Sequence, residues 1–113
     1  MTQKPARKKR SDRNHILYKA VAPNGSVYVG LTVCDMTPVK SMRRRWLKHV
    51  NRALREDHPW ALCEAIRKWG ADAFVLEVIE KVRGKAAAHM REVELIAALK
   101  PKLNTAKSGK KGI

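Results

Sequence analysis

The sequence predicts a small α/β (α+β) domain in which a three-stranded, mainly antiparallel sheet is flanked by helices in the order ββααβα. Three observations carry this. Two runs rich in β-branched and aromatic residues flank Pro23-Asn24-Gly25, two following stretches repeat apolar residues at helical spacing, and a third β-type run precedes a final Ala- and Leu-rich segment. Each helix has one apolar face to bury, and a sheet is the surface on which to bury it.

Taken in order, His15–Ala22 and Ser26–Leu31 are the strands of a β-hairpin, because Pro-Asn-Gly is turn chemistry between them. A loop follows through Asp35 and Pro38. From Val39 to Leu54 the period becomes helical: Met42, Trp46, Val50, Ala53 and Leu54 form an apolar stripe, with Arg45, Lys48, His49 and Arg52 on an adjoining face. Asp57-His58-Pro59 reads as the start of a second helix with Pro59 in its first turn. Trp60, Cys63, Ile66 and Trp69 are its expected core face, and Gly70 its stop. Ala73–Val82 reads as a third strand covered for most of its length, and Lys85–Lys100 as a helix stopped by Pro101. On that helix Met90, Val93, Ile96 and Ala97 read as the buried face. Glu92 and Glu94 then fall on opposite flanks, and periodicity does not choose between them.

Composition narrows the function. The 113 residues carry 25 Lys and Arg against 10 acids, a net charge of +15, which predicts attraction to a polyanion. The excess is uneven: residues 1–13 hold six basic residues against one acid, and residues 100–113 hold five against none. Residues 1–14 therefore read as a disordered basic arm, 15–106 as the folded unit, and 107–113 as a flexible basic tail. Lys8, Lys9 and Arg10 in the arm, with Arg44, Lys48 and Arg52 on the first helix, are the expected nucleic-acid contacts. No run of apolar residues is long enough for a membrane span, and the basic start lacks the apolar core of a secretory signal, so an intracellular (cytoplasmic) protein is expected. Cys34 and Cys63 lie far apart without a CxxC pattern and read as buried free thiols. His15 and His89 belong to no motif and read as structural.

No P-loop, dinucleotide turn, nucleophile elbow or HExxH helix is present. The residues with chemical potential are dispersed: two tyrosines on the hairpin, an Arg/His pair on the first helix, a second His, and a carboxylate on the last helix. Each has an ordinary structural explanation when taken singly. Tyrosines pack half-buried strands, Arg45 and His49 could be a solvated helix face, and Glu92 a surface acid. Residues alone lead only to a basic α/β domain that binds nucleic acid.

In order and spacing, however, the set resembles the GIY-YIG nuclease family. Ile16-Leu17-Tyr18 stands where the family has its first triplet and Tyr28-Val29-Gly30 where it has its second, ten residues apart from tyrosine to tyrosine. Arg45-Trp46-Leu47-Lys48-His49 is similar to the family's arginine helix, and His58 nine residues on is also found in some members. AIRKWGADAFVLEVIE resembles the segment that joins helix to third strand. Glu92, four residues before Ile96, matches the metal-binding glutamate, and Leu103-Asn104 the pair near the domain's end. Ile16 replaces the family's leading glycine, a change that favours a strand.

The resemblance implies a metal-dependent endonuclease hydrolysing DNA phosphodiester bonds at a single-metal site. It implies Tyr18 as the base or part of a relay, Arg45 as the phosphate grip, Glu92 as the ligand of one Mg²⁺ (or Mn²⁺), and Tyr28 and His49 as orienting groups. Gly30, His58 and Asn104 support the site. Because an ordinary tyrosine has a pKa near 10, Tyr18 is expected to need positive charge nearby, from Arg45 and His49. The alternative is a non-catalytic nucleic-acid-binding module of the same fold. With no separate recognition domain expected, specificity is left to the unit itself, its tails, a homodimer partner or another protein.

Overall fold

Pro23 and Asn24 occupy a tight turn closed by Gly25 N–H donating to the Ala22 carbonyl at 2.8 Å, and the Asn24 side chain accepts from the Ser26 amide at 3.0 Å. Gly25 supplies the positive φ of 89° that this turn requires. The turn joins strands β1 (Asn14–Val21) and β2 (Val27–Val33), and β1 pairs on its other side with β3 (Val75–Arg83). The sheet is antiparallel throughout, in the order β2-β1-β3. The structure, a computed structural model, describes residues 13–56 and 60–104. The expected fold class and element order are the ones observed.

Helix α1 (Pro38–Arg55) starts where chemistry favours it: the Thr37 hydroxyl accepts from the Lys40 amide at 3.2 Å, with Pro38 in the first turn. Its buried residues are Ser41, Met42, Trp46, His49 and Ala53, so His49 belongs to the inner stripe and not to an adjoining face. Leu54, expected inside, is 65% exposed because the stripe is centred on Trp46 and His49. Helix α2 (Ala61–Trp69) opens later than a start at Pro59 predicts. Trp60 is still extended there, half-buried at the rim of the core, and the Arg52 guanidinium sits 5.5 Å from its ring centroid. Leu62, Cys63 and Ile66 are buried, whereas Trp69 lies at the helix end, 37% exposed. Gly70 stops the helix with φ 91°. Cys34, expected to be buried, is half-exposed and donates to the Met36 carbonyl.

Two expectations fail for one reason, the narrowness of a three-stranded sheet. Strand β3 has no fully buried residue, because it is an edge and helices cover it only in part. Helix α3 (Lys85–Leu99) buries Ala88 and Leu95, with Arg91, Glu92 and Ile96 half-buried beside them. Met90 and Val93, expected inside, are each 66% exposed. Alternation along β1 separates the layers. Ile16, Tyr18 and Ala20 face α1 and α2, while Leu17 packs with Val29 and Leu95 on the α3 side. Both faces of β1 are therefore covered, and Ile16 is fully buried against Met42, which suits a β-branched residue better than glycine. Among the described residues no helix is long and apolar enough to cross a membrane.

Candidate active site

The hairpin register sets the site. Tyr18 lies opposite Gly30, and Ala20 opposite Tyr28, so the two tyrosines are diagonal neighbours on the face that meets α1. Their ring centroids are 6.2 Å apart. A Cβ on Gly30 would stand 2.4 to 2.6 Å from Cζ, Oη and Cε1 of Tyr18, so the glycine of the second triplet is what allows the Tyr18 ring to lie against β2. Gly30→Ala is expected to displace that ring and cost about 1–3 kcal/mol, the usual range for forcing extra volume into a packed site. A urea melt reads this; a loss under about 0.5 kcal/mol, the scatter of ordinary surface changes, would mean that Tyr18 swings aside freely.

From α1, His49 reaches the same place. The Tyr18 hydroxyl and His49 Nε2 are 3.2 Å apart in a buried hydrogen bond, and Tyr28 meets the imidazole edge-on at 5.2 Å between centroids. Trp46, one turn earlier, also sets its ring edge-on to His49 and packs on Phe74. His49 Nδ1 is buried and has no hydrogen-bond partner among the described residues.

Electrostatics correct one expectation. Burial first, and then the guanidinium groups of Arg45 and Arg52, push the pKa of His49 from 6.5 down to about 4. His49 is thus neutral at pH 7 and supplies no positive charge to Tyr18. It can instead accept a proton at Nε2. Burial also raises the Tyr18 hydroxyl well above its ordinary value of 10, as does Tyr28, while Arg45 pulls the other way. Tyr28 is raised too, chiefly by burial, and Arg45 opposes this while the Glu92 carboxylate adds to it. Arg45 is the cation that acts on all three rings.

Glu92 and Glu94, which periodicity could not separate, differ in the fold. The side chain of Glu92 is 24% exposed and close enough to Tyr28 to perturb it, whereas Glu94 is 61% exposed and paired with Arg91 at 2.9 Å. Arg91 also holds Glu80 of β3 at 3.0 Å. Asn104 supports the site from the free edge of β2. Its side-chain amide accepts from Val29 N–H at 2.7 Å and donates to Val29 C=O at 2.8 Å, pairing the residue next to Tyr28 as another strand would.

The expected nucleic-acid contacts divide. Lys48 is exposed, Arg52 half-buried, and Arg44 ion-paired with Asp35, a partner the sequence reading missed. Lys8, Lys9, Arg10 and His58 lie outside the described residues. His89, read as structural, stands with Nδ1 3.7 Å from Glu92 Oε1, and their three-residue helical spacing is the signal that could have found it. Among the described residues no three His, Cys, Asp or Glu side chains gather around one point. Compared with known families, with curated proteins and with solved structures, the chain matches none.

Proposed function

We propose that this chain is a metal-dependent endonuclease that hydrolyses DNA phosphodiester bonds at a single-metal site of the GIY-YIG type. The observation that carries the reading is the buried Tyr18–His49 hydrogen bond, a phenol facing a neutral imidazole within the field of Arg45. A phenol with a raised pKa is a poor base by itself. It can take a proton from an attacking water if its own proton passes on to Nε2 of His49 in the same step. Water loses one proton to the Tyr18 oxygen as Tyr18 passes its own to His49, the water oxygen bonds to phosphorus, and the bond from phosphorus to the leaving oxygen breaks, that oxygen taking a proton from solvent water. Phosphate bound at Arg45 would offset the guanidinium charge that disfavours protonated His49, which ties the transfer to substrate binding.

Arg45, half-exposed on α1, would hold phosphate oxygens with its planar fork. Arg43, Lys48 and Arg55, exposed along the same helix, supply attraction to the strand. Glu92 would hold the ion. One carboxylate with water and phosphate oxygens completing the shell suits Mg²⁺, which keeps several of its waters, so the donor set fits. When bound, the ion supplies neutralisation of charge growing on the phosphate and the leaving oxygen.

Supercoiled plasmid is expected to be nicked or cut with Mg²⁺ or Mn²⁺ and to survive in EDTA. If plasmid is bound yet stays intact across both metals and a range of salt and pH, the chain is a nucleic-acid-holding module instead. Glu92→Gln keeps the size and removes the charge, so it is expected to retain fold and DNA binding while losing at least about a hundredfold in cleavage, the scale of one charge-stabilising group. Glu94→Gln, on the outer surface, is expected to cut within about twofold of the parent, as surface changes usually do. Reversed behaviour would put the ion elsewhere on α3.

A further inference from the structure

We propose that His89 is a second protein ligand of the divalent ion, and that it makes the site prefer Mn²⁺ to Mg²⁺. This rests on Glu92 being the metal carboxylate. His89 and Glu92 are one turn apart on α3, so their side chains leave the same side of the helix. Nδ1 of His89 and Oε1 of Glu92 are 3.7 Å apart, wider than a hydrogen bond and close to the separation of two donors on one shared ion. The surroundings suit that use. The His89 side chain is 54% exposed and so open to an arriving ion, and Glu92, at 24%, is held toward the sheet. Arg91, between them in sequence, is occupied with Glu80 and Glu94.

The chemistry of the pair sets the preference. Mg²⁺ takes oxygen donors and gains little from an imidazole, whereas Mn²⁺, though the weakest of the first transition row toward nitrogen and itself at home among oxygen donors, accepts an imidazole more readily than Mg²⁺ does. A lone glutamate would treat Mg²⁺ and Mn²⁺ much alike. A glutamate with an imidazole beside it does not.

The test reads binding and not cleavage. Mn²⁺ is titrated into the full chain while the electron paramagnetic resonance signal of the free ion is followed, and Mg²⁺ is then added as competitor. His89→Ala is expected to raise the Kd for Mn²⁺ about tenfold, the lower end of what losing a group at a metal site costs. The Mg²⁺ constant should move less than about twofold, because an oxygen-seeking ion loses no favoured donor. Glu92→Gln is expected to weaken both ions. A thermal melt of each variant checks the fold, and alanine on an exposed helix position favours helix. An unchanged Mn²⁺ constant in His89→Ala, or an equal shift for both ions, overturns the proposal and leaves His89 as a surface partner of Glu92. Unchanged Mn²⁺ binding in Glu92→Gln overturns it as well. The outcomes are separable from the nuclease reading. A chain that binds Mn²⁺ through His89 but leaves plasmid intact loses only the nuclease assignment. One that cuts plasmid with an unaltered Mn²⁺/Mg²⁺ ratio loses only this inference.

Discussion

Arg45→Ala is expected to reduce DNA cleavage by about 10²–10³-fold or more, the scale on which removal of one transition-state charge stabiliser is felt, with little change in the folded structure. Arg45 is half-exposed and flanks the inner stripe of α1 without entering it, so no cavity follows from its loss. Its guanidinium opposes the burial effects on both tyrosines and adds to burial in lowering His49. Truncation therefore has a second readout: the His49 pKa should rise above its value of about 4 while both tyrosines move further up. Arg45→Lys is expected to recover little activity, because a point charge lacks the fork that spans two phosphate oxygens. An unfolded Arg45→Ala protein would make the arginine structural. A folded variant with normal cleavage would remove Arg45 from the site.

The hairpin was legible because its causes are local. Pro23-Asn24-Gly25 permits one kind of turn, and a ten-residue step between tyrosines across that turn leads to the diagonal placement of Tyr18 and Tyr28. Pro38, read as loop, opens α1 behind the Thr37 cap, but the approximate span of that helix was legible in its apolar period, as was the stop at Gly70 in a position that needs positive φ. Helix α3 was not. It carries apolar residues all round, with Ala88, Leu95 and Ile96 toward the sheet and Met90 and Val93 away from it, so a helical period fits two faces equally. Only the width of the sheet decides between them, and that is a property of the assembled fold. At the site, residue types and spacings were readable but protonation was not. The sequence offered His49 as a source of positive charge for Tyr18, whereas burial among Tyr18, Tyr28 and Trp46, with Arg45 and Arg52 nearby, makes it neutral.

That neutral histidine has a measurable consequence for stability. In the unfolded chain His49 titrates near 6.5, and in the fold near 4, depressed by burial and by Arg45 and Arg52. Above pH 6.5 the ring is neutral in both states and makes no pH-dependent difference. Between pH 6.5 and 4 the unfolded chain takes up a proton that the folded one refuses, so stability falls by about 1.4 kcal/mol per pH unit. Below pH 4 both states hold the proton and the loss levels off at about 3 kcal/mol. Carboxylates titrate in part of this window, so the measurement must be a difference. Denaturant melts of the parent and of His49→Gln at several values from pH 7 to pH 4 share the carboxylate contribution and differ in the histidine. The parent's stability relative to the variant is expected to drop by about 3 kcal/mol across the window, with most of the fall above pH 4. A difference that stays flat would mean that His49 takes up a proton in the folded state as readily as in water, and the Tyr18-to-His49 proton path would lose its acceptor. If His49→Gln does not fold, the ring proton shifts of His49 in the parent report the same quantity directly: a midpoint near 4 supports the path, and one near 6.5 removes it.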